Sequence, residues 1–280
     1  MQNVDGWQHL SGARMSEYYY ERVEQDCYAP TDLTRGSWSL SMQHAAPVSA
    51  LLVRALSRFE AHAGTRLSRV VVDLLGPVPA GTNLRVQPRV ERPSPDIEIV
   101  LADMFAPGPD DTVRRVATAS GMRLSVRDTA AIAGSCASAL RPLEHARSRN
   151  LAAKFDRNWV HSVDWRWLTD KFERGPGESW LRPMVDVVNG EPISPIERVF
   201  AVADAANGVG SKLDITRWTF LNTDLAVHLH RMPVGEWIGI RAETNYGPDG
   251  VGATVGTLFD QDGAIGATQQ SVLVRRRSQP

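Results

Sequence analysis

Asp204 closes an apolar helical stripe, and a carboxylate in that setting is well suited to acid–base chemistry. Counting from Ile196, the residues at i+4 and i+8 are Phe200 and Asp204, so all three share a face that turns inward. Burial disfavours the charged form, so such a carboxylate has its pKa raised or gathers hydrogen-bond donors. The plain structural alternative is that Asp204 only ties down the loop Asn207-Gly208-Val209-Gly210; in either case Asn207-Gly208 is expected to end the helix. Asn222, Thr223 and Asp224 follow on the next strand, where Asn and Thr could hold a water or a carbonyl oxygen, although ordinary strand polarity explains any one of them as well. Gln269 and Gln270 lie on a late strand with side chains on opposite faces, so at most one of them joins a given site.

Other arrangements carry less. His228 and His230 share one strand face, but no third ligand of fitting type accompanies them, so no metal site is expected. Ser211 lacks a nucleophile-elbow context, and the Gly208-x-Gly210 pair does not follow a strand as a dinucleotide site requires. The eight Trp residues read as core and interface.

The elements that would position Asp204 occur twice. A stretch poor in strand alternation, Asp128 to Asn150, reads as a linker with a short helix around Leu140 to Ala146. It divides the chain into units 1–127 and 151–280. Arg35-Gly36-Ser37-Trp38 resembles Gly177-Glu178-Ser179-Trp180, the run from Val72 to Gly81 resembles Ala226 to Gly235, and Ala117 to Leu124 lies over Ala267 to Val274 without a gap. Each unit holds one long helix. The first is expected to begin with Pro47 at its first position, to carry Val48, Leu51, Leu52, Ala55, Leu56 and Phe59 at helical spacing, and to close at Gly64. The second opens with a capping box, Ser194-Pro195-Ile196-Glu197. Alternation in Leu221, Thr223, Leu225, Val227 and Leu229, with turns at Gly247-Pro248-Asp249-Gly250 and Asp260-Gln261-Asp262-Gly263, indicates antiparallel hairpins. The expected fold is α+β, each unit a helix wrapped by an antiparallel sheet. Only the second helix carries an acid on its apolar stripe, which assigns chemistry to the second unit and a scaffold role to the first.

Composition excludes several classes. With 31 Lys and Arg against 32 Asp and Glu, the chain lacks the basic footprint of a nucleic-acid binder. The polar start Met1-Gln2-Asn3-Val4-Asp5-Gly6 does not resemble a secretory signal, and no segment is apolar enough to span a membrane. Cys27 and Cys136 are unpaired in pattern, so the expectation is a reduced, cytoplasmic protein without structural metal.

Three runs together resemble the acyl-CoA thioesterase II family, the fused double-hotdog thioesterases: Ala203-Asp204-Ala205-Ala206-Asn207-Gly208, Phe220 to Arg231, and Gln270 to Arg275. The resemblance extends from about Ser16 to Arg276. It implies a double hotdog fold, an acyl-CoA substrate and no cofactor. It also implies a water oriented by an Asp on the second helix, a Thr or Ser on the next strand and a Gln on the last strand. Carried over, the Asp is Asp204 and the Gln is Gln270. The hydroxyl position falls on Asn222, with Thr223 one residue later, so either could fill it. Near the first helix, where family members often carry Gly-Gly, this chain has His44-Ala45-Ala46. His44, Asn207 and Gly208 are expected at the substrate. A non-catalytic acyl-CoA or acyl-pantetheine binding protein is the alternative. A hotdog dehydratase ranks last, because no His is apparent beside Asp204 to complete the Asp and His pair it uses. Monomer, dimer and tetramer all fit, since fused units already supply the pairing that single ones obtain by dimerising.

Overall fold

The strand order is mirrored about the middle of the sheet. The computed structural model describes residues 17–108, 112–149 and 158–277; the expectations for Met1 to Gly6 and for the linker boundary at Asn150 lie outside the described residues. The first half runs β1 (Tyr18–Glu24), β2 (Cys27–Pro30), α1 (Ala45–Arg58), β3 (Thr65–Leu74), β4 (Leu84–Arg92), β5 (Ile97–Pro107) and β6 (Val113–Ser125). The second runs β7 (Arg147–Ser148), β8 (Val163–Trp167), β9 (Gly177–Pro183), β10 (Asp186–Val188), α2 (Pro195–Ala203), α3 (Ala206–Gly210), β11 (Trp218–Asn222), β12 (Asp224–Leu229), β13 (Ile238–Tyr246), β14 (Val251–Asp260) and β15 (Gly263–Arg276). Across the sheet the order is β2-β4-β5-β6-β3 and then β12-β15-β14-β13-β9, so each half mirrors the other about the antiparallel β3–β12 pair. β6 and β15, matched in sequence, occupy equivalent places. β1 adds a second link between the halves by pairing parallel with β10.

β12 alternates as the sequence implies, with Leu225, Val227 and Leu229 buried and His228 exposed, but the run does not continue through Thr223, which is exposed between β11 and β12. Both helices sit on the inner face of the sheet in one core, which draws Leu51, Leu52 and Met104 from the first half and Phe200, Val202 and Ile240 from the second. Fully burying a side chain of this size contributes about 1.5–3 kcal/mol. Among the described residues no helix is long and apolar enough to cross a membrane.

Four expectations need correction. α1 begins two residues before Pro47, with His44 as its N-cap, and it ends at Arg58 rather than near Gly64; Pro47 is accommodated because the first-turn amides need no intrahelical acceptor. The second helix is not one long element. α2 is nine residues, the chain tightens at Asp204-Ala205 where Ala205 N–H donates to Val202, and α3 adds five more. Asn207 and Gly208 therefore lie inside α3 and do not end the helix. The break lets α3 lie directly on β9 and β13: a Cβ on Gly177 would sit 1.8 Å from the Val209 carbonyl oxygen, and one on Gly210 would meet the Ala242 backbone at 3.0 Å. Finally, Gly177 to Trp180 forms a strand whereas Arg35 to Trp38 is irregular, so that sequence match has no structural counterpart. The described part of the segment after Asp128 holds short 3-10 turns, at Ala130–Ile132 and Leu143–His145, and the two-residue strand β7, and is pinned by Leu140, which packs with Trp180 and Phe259.

Candidate active site

Asp204 is the last residue of α2's apolar stripe, and it is 2 % exposed. The predicted capping box fixes the start of that helix: Ser194 Oγ accepts from Glu197 N–H and Glu197 Oε2 accepts from Ser194 N–H at 2.8 Å. With the start fixed and Ile196 and Phe200 buried, the helical phase aims Asp204 at the sheet.

Three side chains from three other elements meet the carboxyl group. Asn222, ending β11, donates from Nδ2 to Asp204 Oδ1 at 2.5 Å. Asn207 of α3 donates from Nδ2 to Asn222 Oδ1 at 3.5 Å and to the Phe220 backbone oxygen at 3.3 Å, which orients the Asn222 amide with its N–H toward Asp204. Gln270, buried on β15, donates from Nε2 to the Asp204 backbone oxygen at 3.1 Å and lies 3.5 Å from Oδ1. Its Oε1 is buried and has no hydrogen-bond partner among the described residues. His44, the N-cap of α1, places Nδ1 3.2 Å from Asp204 Oδ2. The absence of a His beside Asp204, read from the sequence, is thus incorrect: the two lie 160 positions apart and the pairing of the halves brings them together.

Burial sets the protonation of this pair. Desolvation pushes the Asp204 carboxyl up to about 7, against the opposing pull of the Asn222 hydrogen bond. Desolvation pushes the His44 imidazole down to about 3, so it is neutral at physiological pH. The ring is held by a face-to-face stack on Trp159, centroids 3.8 Å apart, and Trp159 in turn donates from Nε1 to the Ala201 carbonyl of α2.

Above the pair lies a cavity of about 290 Å³. His44, Asp204, Asn207, Asn222 and Thr223 line it, with Trp38, Met42, Val48, Leu74, Val78, Leu221 and Leu273 supplying apolar wall. Ala45 also lines it, and its N–H, as the first helical amide, has no intrahelical acceptor. Thr223 is exposed and its hydroxyl donates to the Ser271 carbonyl at 3.4 Å, away from Asp204. Gly208 does not line the cavity. Among the described residues no cluster of His, Cys, Asp and Glu could hold a metal ion.

Two family models match the chain, the acyl-CoA thioesterase N-terminal domain over residues 34–124 and the acyl-CoA thioesterase C-terminal domain over residues 137–274. The chain belongs to the acyl-CoA thioesterase II family. Solved structures agree in fold. A protein from Thermobifida fusca described as a thioesterase II is 17 % identical, with TM-score 0.69 over 92 % of this chain and 95 % of that one. An acyl-CoA thioesterase II from Mycobacterium marinum is 14 % identical, with TM-score 0.62 over 92 % and 96 %. A hot dog fold protein from Alicyclobacillus acidocaldarius is 13 % identical, with TM-score 0.68 over 91 % and 93 %. A search of curated protein sequences finds no significant match.

At these identities the likenesses carry the hotdog-type α+β fold. The arrangement of the site rests on this chain's own residues. Of the residues read from the sequence, Asp204, Asn222, Gln270, Asn207 and His44 form one connected group, while the Thr223 side chain touches the cavity but not the carboxyl. Trp159 was not legible as part of the site, because a stacking partner in an irregular segment leaves no periodic signal.

Proposed function

We propose that this chain hydrolyses an acyl-CoA thioester, with Asp204 as general base. The observation that carries the reading is a buried carboxyl group, its pKa raised into the neutral range, beneath an apolar-walled cavity. Half-ionised near pH 7, such a group combines a usable basic fraction with strong driving force for taking a proton. In the proposed step a water gives its proton to Asp204 while its oxygen bonds to the thioester carbonyl carbon. The resulting oxyanion accepts from the Ala45 N–H at the start of α1, and collapse expels the CoA thiolate, which takes up a proton. Asn222 keeps one carboxylate oxygen oriented, and the free Oε1 of Gln270 is an acceptor suited to a water hydrogen. The acyl chain lies against Met42, Val48, Val78 and Leu221.

In the same proposal residues 1–127 and 151–280 are two fused hotdog units and 128–150 is their linker. The mirrored strand order and the antiparallel β3–β12 seam support that division. Incubation with acyl-CoAs of several chain lengths and a thiol-reactive dye tests the activity. Cys27 and Cys136 react at most once each, so turnover reads as thiol beyond two equivalents. Binding without release of thiol would leave an acyl-CoA binding protein instead.

One observation favours a second reading. An imidazole beside a carboxyl group, as in His44 and Asp204, is the pair that hotdog dehydratases use. Here the two groups touch each other at 3.2 Å on one wall of the cavity, which suits mutual proton sharing better than attack on two carbons of a substrate. Water addition to a 2-enoyl-CoA, followed by loss of the conjugated thioester absorbance, distinguishes the two.

A further inference from the structure

We propose that His44 is a positioning residue whose Nδ1 lone pair accepts the proton of the Asp204 carboxyl, so that the hydrolytic base is a two-residue unit assembled from both halves of the chain. This rests on the thioesterase reading for its catalytic meaning, but the proton's position is a property of the pair alone.

The tautomer follows from helix capping. As N-cap of α1, His44 accepts the Ala46 N–H on Nδ1 at 3.1 Å, and only a lone pair can accept. The ring therefore carries its hydrogen on Nε2. The same Nδ1 faces Asp204 Oδ2 at 3.2 Å, so its one lone pair is shared, as a three-centre hydrogen bond, between the Ala46 N–H and the Asp204 O–H. An ionised Oδ2 and an unprotonated Nδ1 at that separation oppose two lone pairs, whereas a protonated Oδ2 donates to the ring. The stack on Trp159, itself tied to α2 through Ala201, holds the ring plane, and a 180° flip within that plane would take Nδ1 away from the Ala46 N–H that it caps. The other oxygen, Oδ1, stays with Asn222. One oxygen thus favours the charged form and the other the neutral form.

Among the described residues neither Asp204 nor His44 makes a hydrogen bond or ion pair with any other titratable side chain. On α1 Arg54 turns to Glu191, and on α2 Glu197 is engaged with Ser194 and Arg58 while Arg198 reaches Gly235. β11 between Trp218 and Asn222 has none, and α3 has none. On β12 Asp224 accepts from Ser271 N–H and His228 is exposed. On β15 Arg275 bonds the Gly250 and Val274 carbonyls and Arg276 is exposed. In the turn that carries Trp159, His161 is engaged with Asn158. In the reaction, the water O–H bond breaks, its proton moves to Asp204, and Nδ1 holds that proton as a hydrogen bond until the thiolate leaves.

The test is a nitrogen NMR titration of the His44 ring in the full chain, with kcat/KM for acyl-CoA hydrolysis measured over the same pH range. The proposal predicts an unprotonated Nδ1 and a protonated Nε2 from pH 5 to 8, with a step in the Nδ1 resonance when Asp204 ionises. That step should vanish in Asp204→Asn. His44→Phe keeps a ring against Trp159 but removes the acceptor. Its rising limb of kcat/KM should move down by about half to one pH unit, the loss of one neutral hydrogen bond to the protonated state. A protonated Nδ1 in the wild type, or a limb that moves up in His44→Phe, would overturn the proposal. If the wild type hydrolyses no thioester, the thioesterase reading fails while the ring titration still decides the pair. It decides equally if His44→Phe does not fold.

Discussion

Removing the Asn222 amide should cost activity in a way that pH restores. The substitution is Asn222→Ala, which deletes the 2.5 Å hydrogen bond to Asp204 Oδ1. A hydrogen bond to a charged group contributes about 1.5–3 kcal/mol, and here it favours the ionised carboxylate, so its loss moves the ionisation midpoint up by about one to two pH units. Starting from about 7, where half the carboxyl is ionised at pH 7, the ionised fraction at that pH drops to about 10 % and 1 % respectively. Hydrolysis at pH 7 should therefore fall by about 5-fold to 50-fold and return to within about twofold of wild type at pH 9. Thiol release measured as kcat/KM from pH 5.5 to 9.5 reads the limb directly. Thr223→Ala serves as the contrast, because that hydroxyl bonds Ser271 and should leave the limb in place. A limb unmoved in Asn222→Ala, or moved by Thr223→Ala instead, would refute the assignment of Asn222 to the carboxylate.

Gln270→Ala should lower kcat by about 10-fold with little change in binding, since Gln270 orients and does not ionise; kcat and KM measured separately check this. Proton linkage at the His44 and Asp204 pair should leave stability nearly flat from about pH 4 to 6.5. Unfolded, the pair carries its proton on His; folded, it carries the proton on Asp, so the raised Asp204 pKa loses stability as pH rises and the lowered His44 pKa loses it as pH falls. In Asp204→Asn only the His44 contribution remains, so the advantage over wild type should shrink by about 2 kcal/mol between pH 7 and pH 5, read as the difference in Tm. Glu191 gathers Arg22, Arg54 and Arg58 from β1 and α1, so Glu191→Gln should destabilise by about 1–3 kcal/mol in urea unfolding. Burial opposes its charge, but the three guanidinium groups hold its carboxyl below the usual range, so this contribution is present above the unfolded pKa and disappears as pH falls through the folded one.

Much of the fold could be read from local rules because those rules act within a few residues. Strand alternation in β12, the Ser194 to Glu197 capping box and the inward phase of Asp204 are set by neighbours in the chain, and each appears in the structure. The break after α2 was hidden, since it answers to Gly177 on a distant strand and not to Asn207-Gly208 nearby. The choice between Asn222 and Thr223 was equally hidden: the break between β11 and β12 at Thr223 and the Asn207 brace decide which side chain meets Asp204. His44 was legible as a residue near a helix start. Its partner was not, because nothing local to His44 encodes the pairing of β3 with β12 that brings the halves together.

CoA thiol release by wild type and by Asp204→Asn at pH 8, with acyl-CoA binding followed in parallel, reads the role of Asp204 directly. The substitution keeps the size and hydrogen-bonding shape of the side chain and removes the base. With Asp204 as the base, the wild type turns over, Asp204→Asn loses activity on the order of 10² to 10⁴ fold, and both bind acyl-CoA. Retention of most of the wild-type rate by Asp204→Asn would contradict that role.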